Sequence, residues 1–221
     1  KQINRLRFGI SPGQKAERGL ATTRGILSYV GRPLKPAYGQ TKQRYGWQNI
    51  YRQAYPGLGK RWMANCDIPD LDLLPKAFPI KDIQFSAGLE LAPLHLGLWA
   101  LSWLVRLGLP LKLERWARPL LAISNIFDCF GTADGGMHII MDGQNMTGRA
   151  IRREWFITIK NGHGPYIPTV PAILLAKRLA NDERLEHGAR LCVGLISLED
   201  YLAELIDFSP QVSISVSHLQ N

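Results

Sequence analysis

Apolar and polar residues alternate in several short segments of the chain, and in others apolar residues recur every three or four positions. Alternation is typical of half-buried strands, and the longer spacing is typical of amphipathic helices. The clearest signal is a β-hairpin formed by residues 137–141 and 150–160 around the turn 142–145. Further strands are predicted at 6–10, 48–54, 82–85, 190–196 and 212–216, and helices at 19–30, 71–78, 169–180 and 198–206.

Two strongly apolar helices are predicted over residues 93–107 and 113–130. Gly108 and Pro110 interrupt the pattern between them, which favours an antiparallel helical hairpin. The stretch 91–111 approaches the length of a membrane span, but Arg106 would be costly in lipid. Three interpretations remain open: a buried or subunit-interface helix, a dimer or domain-docking hairpin that also touches membrane, and a true membrane span. We expect the buried or subunit-interface helix.

Together these elements predict an α+β fold. It consists of a mixed, largely antiparallel sheet with helices on one face and an inserted apolar helical hairpin at about 92–130. With 46% apolar and 20% charged residues, we expect residues 1–221 to form one globular domain. The first residue is Lys1 rather than Met and no signal peptide follows, so we expect the chain to be part of a longer protein.

Positive charge is concentrated in residues 1–61, which carry 13 Lys or Arg and a single acid, Glu17. This excess of positive charge fits three kinds of surface: a solvated basic surface, a cleft that faces an anion, and a surface that binds nucleic acid. The basic residues are scattered through Gly- and Pro-rich segments without a recognisable reader motif, so nucleic acid is the least favoured partner. Three widely spaced cysteines favour a reducing compartment, and we expect a cytoplasmic protein.

A glycine turn follows the second strand of the predicted hairpin. Gly162, His163 and Gly164 stand between an apolar strand and a predicted helix, with Pro168 at its first turn. A strand, a glycine turn and a helix N-terminus together present N–H groups to anions in α/β enzymes. The pattern G-x-G lacks the third glycine of a dinucleotide fingerprint. We therefore predict a site for an anionic substrate here and no cofactor-binding site in this chain.

Candidate proton-transfer groups are His163, His95 and Tyr166, because imidazole and phenol can exchange protons in enzyme sites. Glu90 lies in an apolar stretch, where a carboxylate needs a partner; a structural pairing, for example with Arg106 or a backbone amide, and a substrate contact both remain open. No histidine or cysteine has the spacing of a metal site, and no nucleophile motif of hydrolases occurs.

As a set, several segments resemble the saccharopine dehydrogenase-like NAD(P)-dependent oxidoreductases. They are residues 11–13 (SPG), 18–22 (RGLAT), 26–29 (ILSY), 55–59 (YPGLG), 61–62 (RW), 88–100 (GLELAPLHLGLWA), 162–172 (GHGPYIPTVPA) and 188–197 (GARLCVGLIS). In that family a Rossmann domain precedes a domain of this kind. The second domain closes over the nicotinamide, shapes the substrate pocket and commonly carries dimer contacts. Its fold is similar to the C-terminal half of glyceraldehyde-phosphate and dihydrodipicolinate-type dehydrogenases.

The resemblance implies a substrate-binding and oligomerisation domain, inactive without its own N-terminal Rossmann domain, which this chain lacks. NAD or NADP is implied for the full-length protein, with a small anionic molecule as substrate and a homodimer as the assembly. Arg18, Glu90, Gly162, Gly164 and Pro168 are the expected substrate-binding residues. The alternative hypothesis is a non-catalytic interaction domain whose apolar hairpin mediates dimerisation or peripheral membrane docking.

Overall fold

The computed structural model of the chain describes residues 2–36, 38–181, 188–189 and 191–218. The strands in these residues are β1 (Gln2–Ser11), β2 (Pro33–Leu34), β3 (Arg44–Tyr45), β4 (Tyr51–Tyr55), β5 (Gly59–Asn65), β6 (Ile83–Ala87), β7 (Gly135–Gln144), β8 (Ala150–Ile159) and β9 (Gln211–His218). The α-helices are α1 (Leu20–Ser28), α2 (Asp70–Ala77), α3 (Ala92–Arg106), α4 (Ala117–Ile126), α5 (Val170–Ala180) and α6 (Leu198–Glu204). Short 3₁₀ segments precede or follow several of the helices.

Seven strands form one sheet in the order β4-β5-β6-β1-β7-β8-β9. Only the neighbours β1 and β6 run parallel among these strands, and the other pairs are antiparallel. Strand β1 therefore lies inside the sheet, between strands that come much later in the chain. The predicted mixed, largely antiparallel sheet is confirmed.

Helices cover one face of this sheet. Leu6, Ile83 and Phe85 project from the strands into a core shared with Leu27 of α1, and the half-buried side of α3 packs against the same cluster. A second core joins Ile157 and Ile159 of β8 to residues of α5 and α6. Because strand side chains alternate between faces, the opposite face of the sheet carries polar side chains such as Arg5 and Arg7. It also holds a smaller core of Tyr55, Met63 and Phe156.

The sheet is strongly curled on its polar face. Tyr55 lies at the end of β4, an edge strand, yet its ring is 5.5 Å from His138 of β7 and 6.0 Å from Phe156 of β8. Three strands separate β4 from β7 in the sheet order, so this contact requires the edge to fold over the face. One end of the polar face is thereby filled with aromatic side chains.

The structure differs from the sequence-based expectations in several places. The hairpin turn predicted at 142–145 lies instead at 145–149, because β7 continues to Gln144. The helix predicted over 113–130 is α-helical only over Ala117–Ile126, with 3₁₀ segments at Leu113–Trp116 and Phe127–Phe130. The strand predicted at 190–196 is wrong: residues 191–196 form no strand and adopt bends at 193–196, and Arg190 lies outside the described residues. Strand β5 was not predicted, and β4 begins at Tyr51 rather than at residue 48. The glycine turn leads into a 3₁₀ segment, Gly164–Thr169, and α5 begins only at Val170.

Candidate anion-binding site

The glycine turn after β8 is bonded to the rest of the chain. The amide of Asn161 donates to a carboxylate oxygen of Asp134 at 3.2 Å, and the amide of Gly162 donates to the carbonyl of Ala133 at 3.2 Å. His163 N–H donates to the Lys160 carbonyl at 3.2 Å. Three of the N–H groups in this turn are therefore engaged within the protein. Gly164 and Pro168 belong to the 3₁₀ segment rather than to the first turn of an α-helix.

His163 and Tyr166 lie together in an aromatic cluster. The Tyr166 ring stacks on Phe208 with centroids 4.6 Å apart, and the His163 ring meets Phe208 edge-on at 5.0 Å. These contacts join the 3₁₀ segment to the turn before β9. Their geometry is that of packed aromatic side chains.

Glu90 forms a structural pairing, but its partner is not Arg106. Its carboxylate accepts hydrogen bonds from the amides of Gln14 at 2.6 Å and Thr132 at 2.9 Å. It also forms a 3.3 Å ion pair with the buried guanidinium of Arg61. The bonding capacity of this carboxylate is thus used to join three loops, as expected for a charge that is nearly buried.

Arg18 is close to the same network. Its guanidinium donates to Asp128 at 2.5 Å and to the side-chain oxygen of Asn125 at 3.2 Å. Asp128 also accepts from the Gln14 side chain at 2.8 Å. Arg18 therefore ties the loop after β1 to the end of α4, and its charge is balanced by Asp128.

His95 is fully buried in α3 and lies edge-on to the Trp47 ring at 5.3 Å. Its Nδ1 accepts a hydrogen bond from the Leu89 amide at 3.3 Å. Burial lowers the pKa of the imidazole to about 4, because the charged form loses its hydration. The ring is therefore neutral at physiological pH, and a group without solvent contact is poorly placed to exchange protons with a substrate.

A large polar cleft lies at the opposite end of β1 from these residues. Its volume is about 820 Å³, and it is bounded by the first half of β1, the loop 39–43 with the following strand β3, and the C-terminal end of α3. Five cationic side chains line the cleft, whereas Asp82 is the one acid among its described lining residues. The cations are Arg5, Arg7, Lys42, Arg44 and Arg106.

Arg106 is held in a fixed position at the wall of the cleft. Its guanidinium donates to the side-chain oxygen of Gln48 at 2.6 Å. The same group lies 4.1 Å from the ring centre of Tyr45 and 4.9 Å from that of Trp103. Aromatic faces attract a cation in this geometry, so Arg106 is oriented before any ligand arrives.

The cations of β1 and the loop are only weakly neutralised. Arg5 forms a long 3.7 Å ion pair with Asp82, whose carboxylate also accepts from the Gln40 side chain at 2.8 Å. Among the described residues, the side chains of Arg7 and Lys42 form no hydrogen bond or ion pair, although the charge of Arg7 helps to lower the pKa of Asp142 on the neighbouring strand. Both side chains can therefore turn towards a bound anion without breaking a hydrogen bond.

Arg44 is the buried cation of the cleft, with only 7% of its surface exposed. It donates to the Lys35 carbonyl at 3.4 Å, while Nε and Nη1 have no partner in the described part of the chain. Burial lowers the pKa of this guanidinium, yet arginine stays charged in proteins. A partly unbonded charge at low dielectric strengthens the positive potential of the cleft.

The sequence indicated the charge of this site but not its location. Arg5, Arg7, Lys42 and Arg44 belong to the basic section 1–61, and the spacing of two places Arg5 and Arg7 on one face of strand β1. Arg106 comes from a helix far away in the sequence. Only the tertiary fold brings these residues together.

Neither a scan against protein-family models nor a search of the curated proteins returned a match for this chain. Within the described ranges, no group of three or more His, Cys, Asp or Glu side chains is arranged to hold a metal ion. In the same residues, every helix is too short or too polar to cross a membrane.

Proposed function

We propose that this chain is the substrate-binding domain of a saccharopine dehydrogenase-like NAD(P)-dependent oxidoreductase, and that its substrate is a small anion bound in the basic cleft. The observation that carries the proposal is the gathering of five cations and one acid around a cleft of about 820 Å³. This volume lies in the range of small-molecule sites. Turnover would require the Rossmann half, since the glycine turn of this chain is occupied by its own hydrogen bonds.

The cleft offers two kinds of recognition to an anion. Arg106 is pre-oriented by Tyr45, Trp103 and Gln48, which reduces the entropy lost on binding. Arg7 and Lys42 can close on the ligand from the sheet and the loop. Guanidinium groups bind carboxylate and phosphate through paired N–H donors, so both classes of anion suit the site.

Charge reversal in the cleft tests the site directly. Arg7→Glu should weaken binding of pyrophosphate or glutarate at least tenfold, since it removes one cation and adds a repulsive carboxylate. Arg24→Glu is the matched control, because Arg24 is exposed on α1 outside the cleft and changes the net charge equally. Calorimetry at low ionic strength measures the affinity of both variants for these anions. Equal loss in both would mean that only the overall charge matters and would remove the cleft as the site.

Cofactor binding tests the assignment to the oxidoreductase class. We expect NAD(P)H to bind a protein extended at the N-terminus by its Rossmann domain, and not this chain alone. Fluorescence of the reduced nicotinamide measures cofactor binding by the extended protein and by this chain. Binding by neither protein would contradict the proposed class, and binding by this chain alone would mean that its glycine turn holds the dinucleotide.

A second candidate function is peripheral membrane docking through the apolar segment 92–130. Leu107 is 76% exposed at the end of α3, and Ile126 is 71% exposed at the end of α4. Lys112, Arg115 and Arg118 lie between them in the sequence, and exposed apolar groups beside cations suit an anionic lipid surface.

Vesicle sedimentation tests this second function. Leu107→Glu should abolish co-sedimentation with vesicles that contain phosphatidylserine, because it places an anion where the apolar contact would form. Trp99 and Leu120 in the same two helices are half-buried, so charges there would disturb packing instead. Met146→Glu is the control, since Met146 is 78% exposed in the β7–β8 turn, outside the segment 92–130. Failure of the unmodified chain to sediment with these vesicles would exclude docking.

A further inference from the structure

Strand β9 is an unprotected edge of the sheet. Within the described residues it pairs with β8 on one side only, and seven of its eight residues are exposed. Natural edge strands are usually short, or carry charges or proline that prevent further pairing. Residues 211–218 contain no Lys, Arg, Asp, Glu or Pro. The opposite edge, β4, is five residues long, carries Arg52 and folds over the polar face.

The apolar side chains of β9 lie in a row on one side of the strand. Val212, Ile214 and Val216 alternate with serines, and their exposed fractions are 36%, 65% and 57%. Helices α5 and α6 pack on the neighbouring strand β8 and leave this row uncovered. The strand thus combines free backbone hydrogen-bonding groups with an uncovered apolar row.

The sequence of β9 is also complementary to itself. Residues 212–216 read Val-Ser-Ile-Ser-Val in both directions. If two copies pair antiparallel about a two-fold axis at Ile214, Val212 faces Val216 of the second copy and serine faces serine. A two-fold interface needs such a self-complementary surface, and apolar pairs directly opposite each other stabilise a sheet.

We propose that this chain forms a homodimer in which β9 pairs antiparallel with β9 of a second copy about an axis at Ile214, so that one sheet continues through both copies. In this register His218 reaches residue 210 of the other copy. Pro210 has no N–H to donate, and the ladder therefore ends there. The proposal is independent of what the basic cleft binds.

Molar mass in solution tests the dimer. Light scattering on the unmodified chain should give twice the mass of one chain, and Ile214→Lys should give a monomer, because two ammonium groups would face each other at the axis. Ile126→Lys is the matched control: Ile126 is 71% exposed on α4 and should leave the dimer intact. A monomeric unmodified chain, or a dimer that survives Ile214→Lys, would overturn the proposal.

Cysteine cross-linking tests the register. In a background where the exposed Cys129 and Cys192 are serine, Ile214→Cys should form a disulfide-linked dimer on mild oxidation, because directly paired residues lie within disulfide reach. Val212→Cys alone should not cross-link, whereas its mixture with Val216→Cys should. Cross-linking of Val212→Cys alone, or none with Ile214→Cys, would contradict this pairing.

Discussion

At the scale of single residues, this protein buries polar side chains in specific pairs. His138 has its Nδ1 2.8 Å from the hydroxyl of Tyr55, and both residues are buried on the polar face of the sheet. Burial raises the pKa of the Tyr55 hydroxyl and lowers that of the His138 imidazole to about 4, so both groups are neutral at physiological pH. The tautomer of the imidazole decides which of the two donates this hydrogen bond.

Two buried histidines predict how stability depends on pH. His95 and His138 have folded pKa values of about 4, below the ordinary value of 6.5. Because the unfolded chain binds protons first, the stability they contribute is complete above pH 6.5 and is lost as pH falls towards 4. One pKa unit corresponds to about 1.4 kcal/mol, so the expected loss is a few kcal/mol in total. Urea unfolding at pH 7 and pH 4.5 measures it.

Histidine NMR separates this effect from the titration of carboxylates. In the folded protein, the imidazole resonances of His95 and His138 should keep their neutral positions at pH 5. The variant His138→Gln should lose part of the pH dependence, whereas His218→Asn should retain it, since His218 is exposed at the end of β9. Protonation of both buried rings near pH 6.5 would contradict the prediction.

At the scale of elements, the absence of a side chain at one glycine allows β1 to lie close to both of its neighbouring strands. Gly9 of β1 is paired with Ser86 of β6 and His138 of β7. A Cβ atom added at Gly9 would lie 2.4 Å from the Ser86 carbonyl oxygen and 2.8 Å from the His138 ring. The missing side chain thus provides the space in which the buried imidazole sits.

A pair of glycine substitutions tests this close approach. Gly9→Ala should destabilise the protein by about 1–3 kcal/mol, because the carbonyl oxygen and the ring must both move. Gly25→Ala should instead stabilise it by about 0.5–1 kcal/mol, since Gly25 lies in α1 and a Cβ there meets nothing within 4 Å. Denaturant unfolding compares the two variants. Equal effects would show that β1 and its neighbours can adjust to a side chain.

The elements also show how far the sequence alone could predict the fold. The β7–β8 hairpin and helices α1, α3 and α5 follow local periodicity, and each is found within a few residues of its expected position. Strand β5 (Gly59–Asn65) was not predicted because buried and exposed positions do not alternate along it. Its C-terminal end is buried on both faces. The segment 190–196 is apolar enough for a buried strand, but apolar content alone does not supply a pairing partner.

At the scale of the whole molecule, the two ends of β1 have different characters. At one end Arg61 donates to the carbonyls of Ser11, Pro12 and Asp134 and pairs with Glu90, so that end is closed by internal bonds. At the other end the cations of the cleft retain free bonding capacity. The glycine turn that the sequence singled out lies at the first end, whereas the cations with free bonding capacity lie at the second.

The central position of β1 has a consequence for synthesis of the chain. This strand leaves the ribosome before both of its neighbours, since β6 begins at Ile83 and β7 at Gly135. Until residue 144 has emerged, one side of β1 has no partner, and exposed strands of this kind favour aggregation. Chaperone binding during translation is therefore expected to be concentrated between the completion of β1 and that of β7.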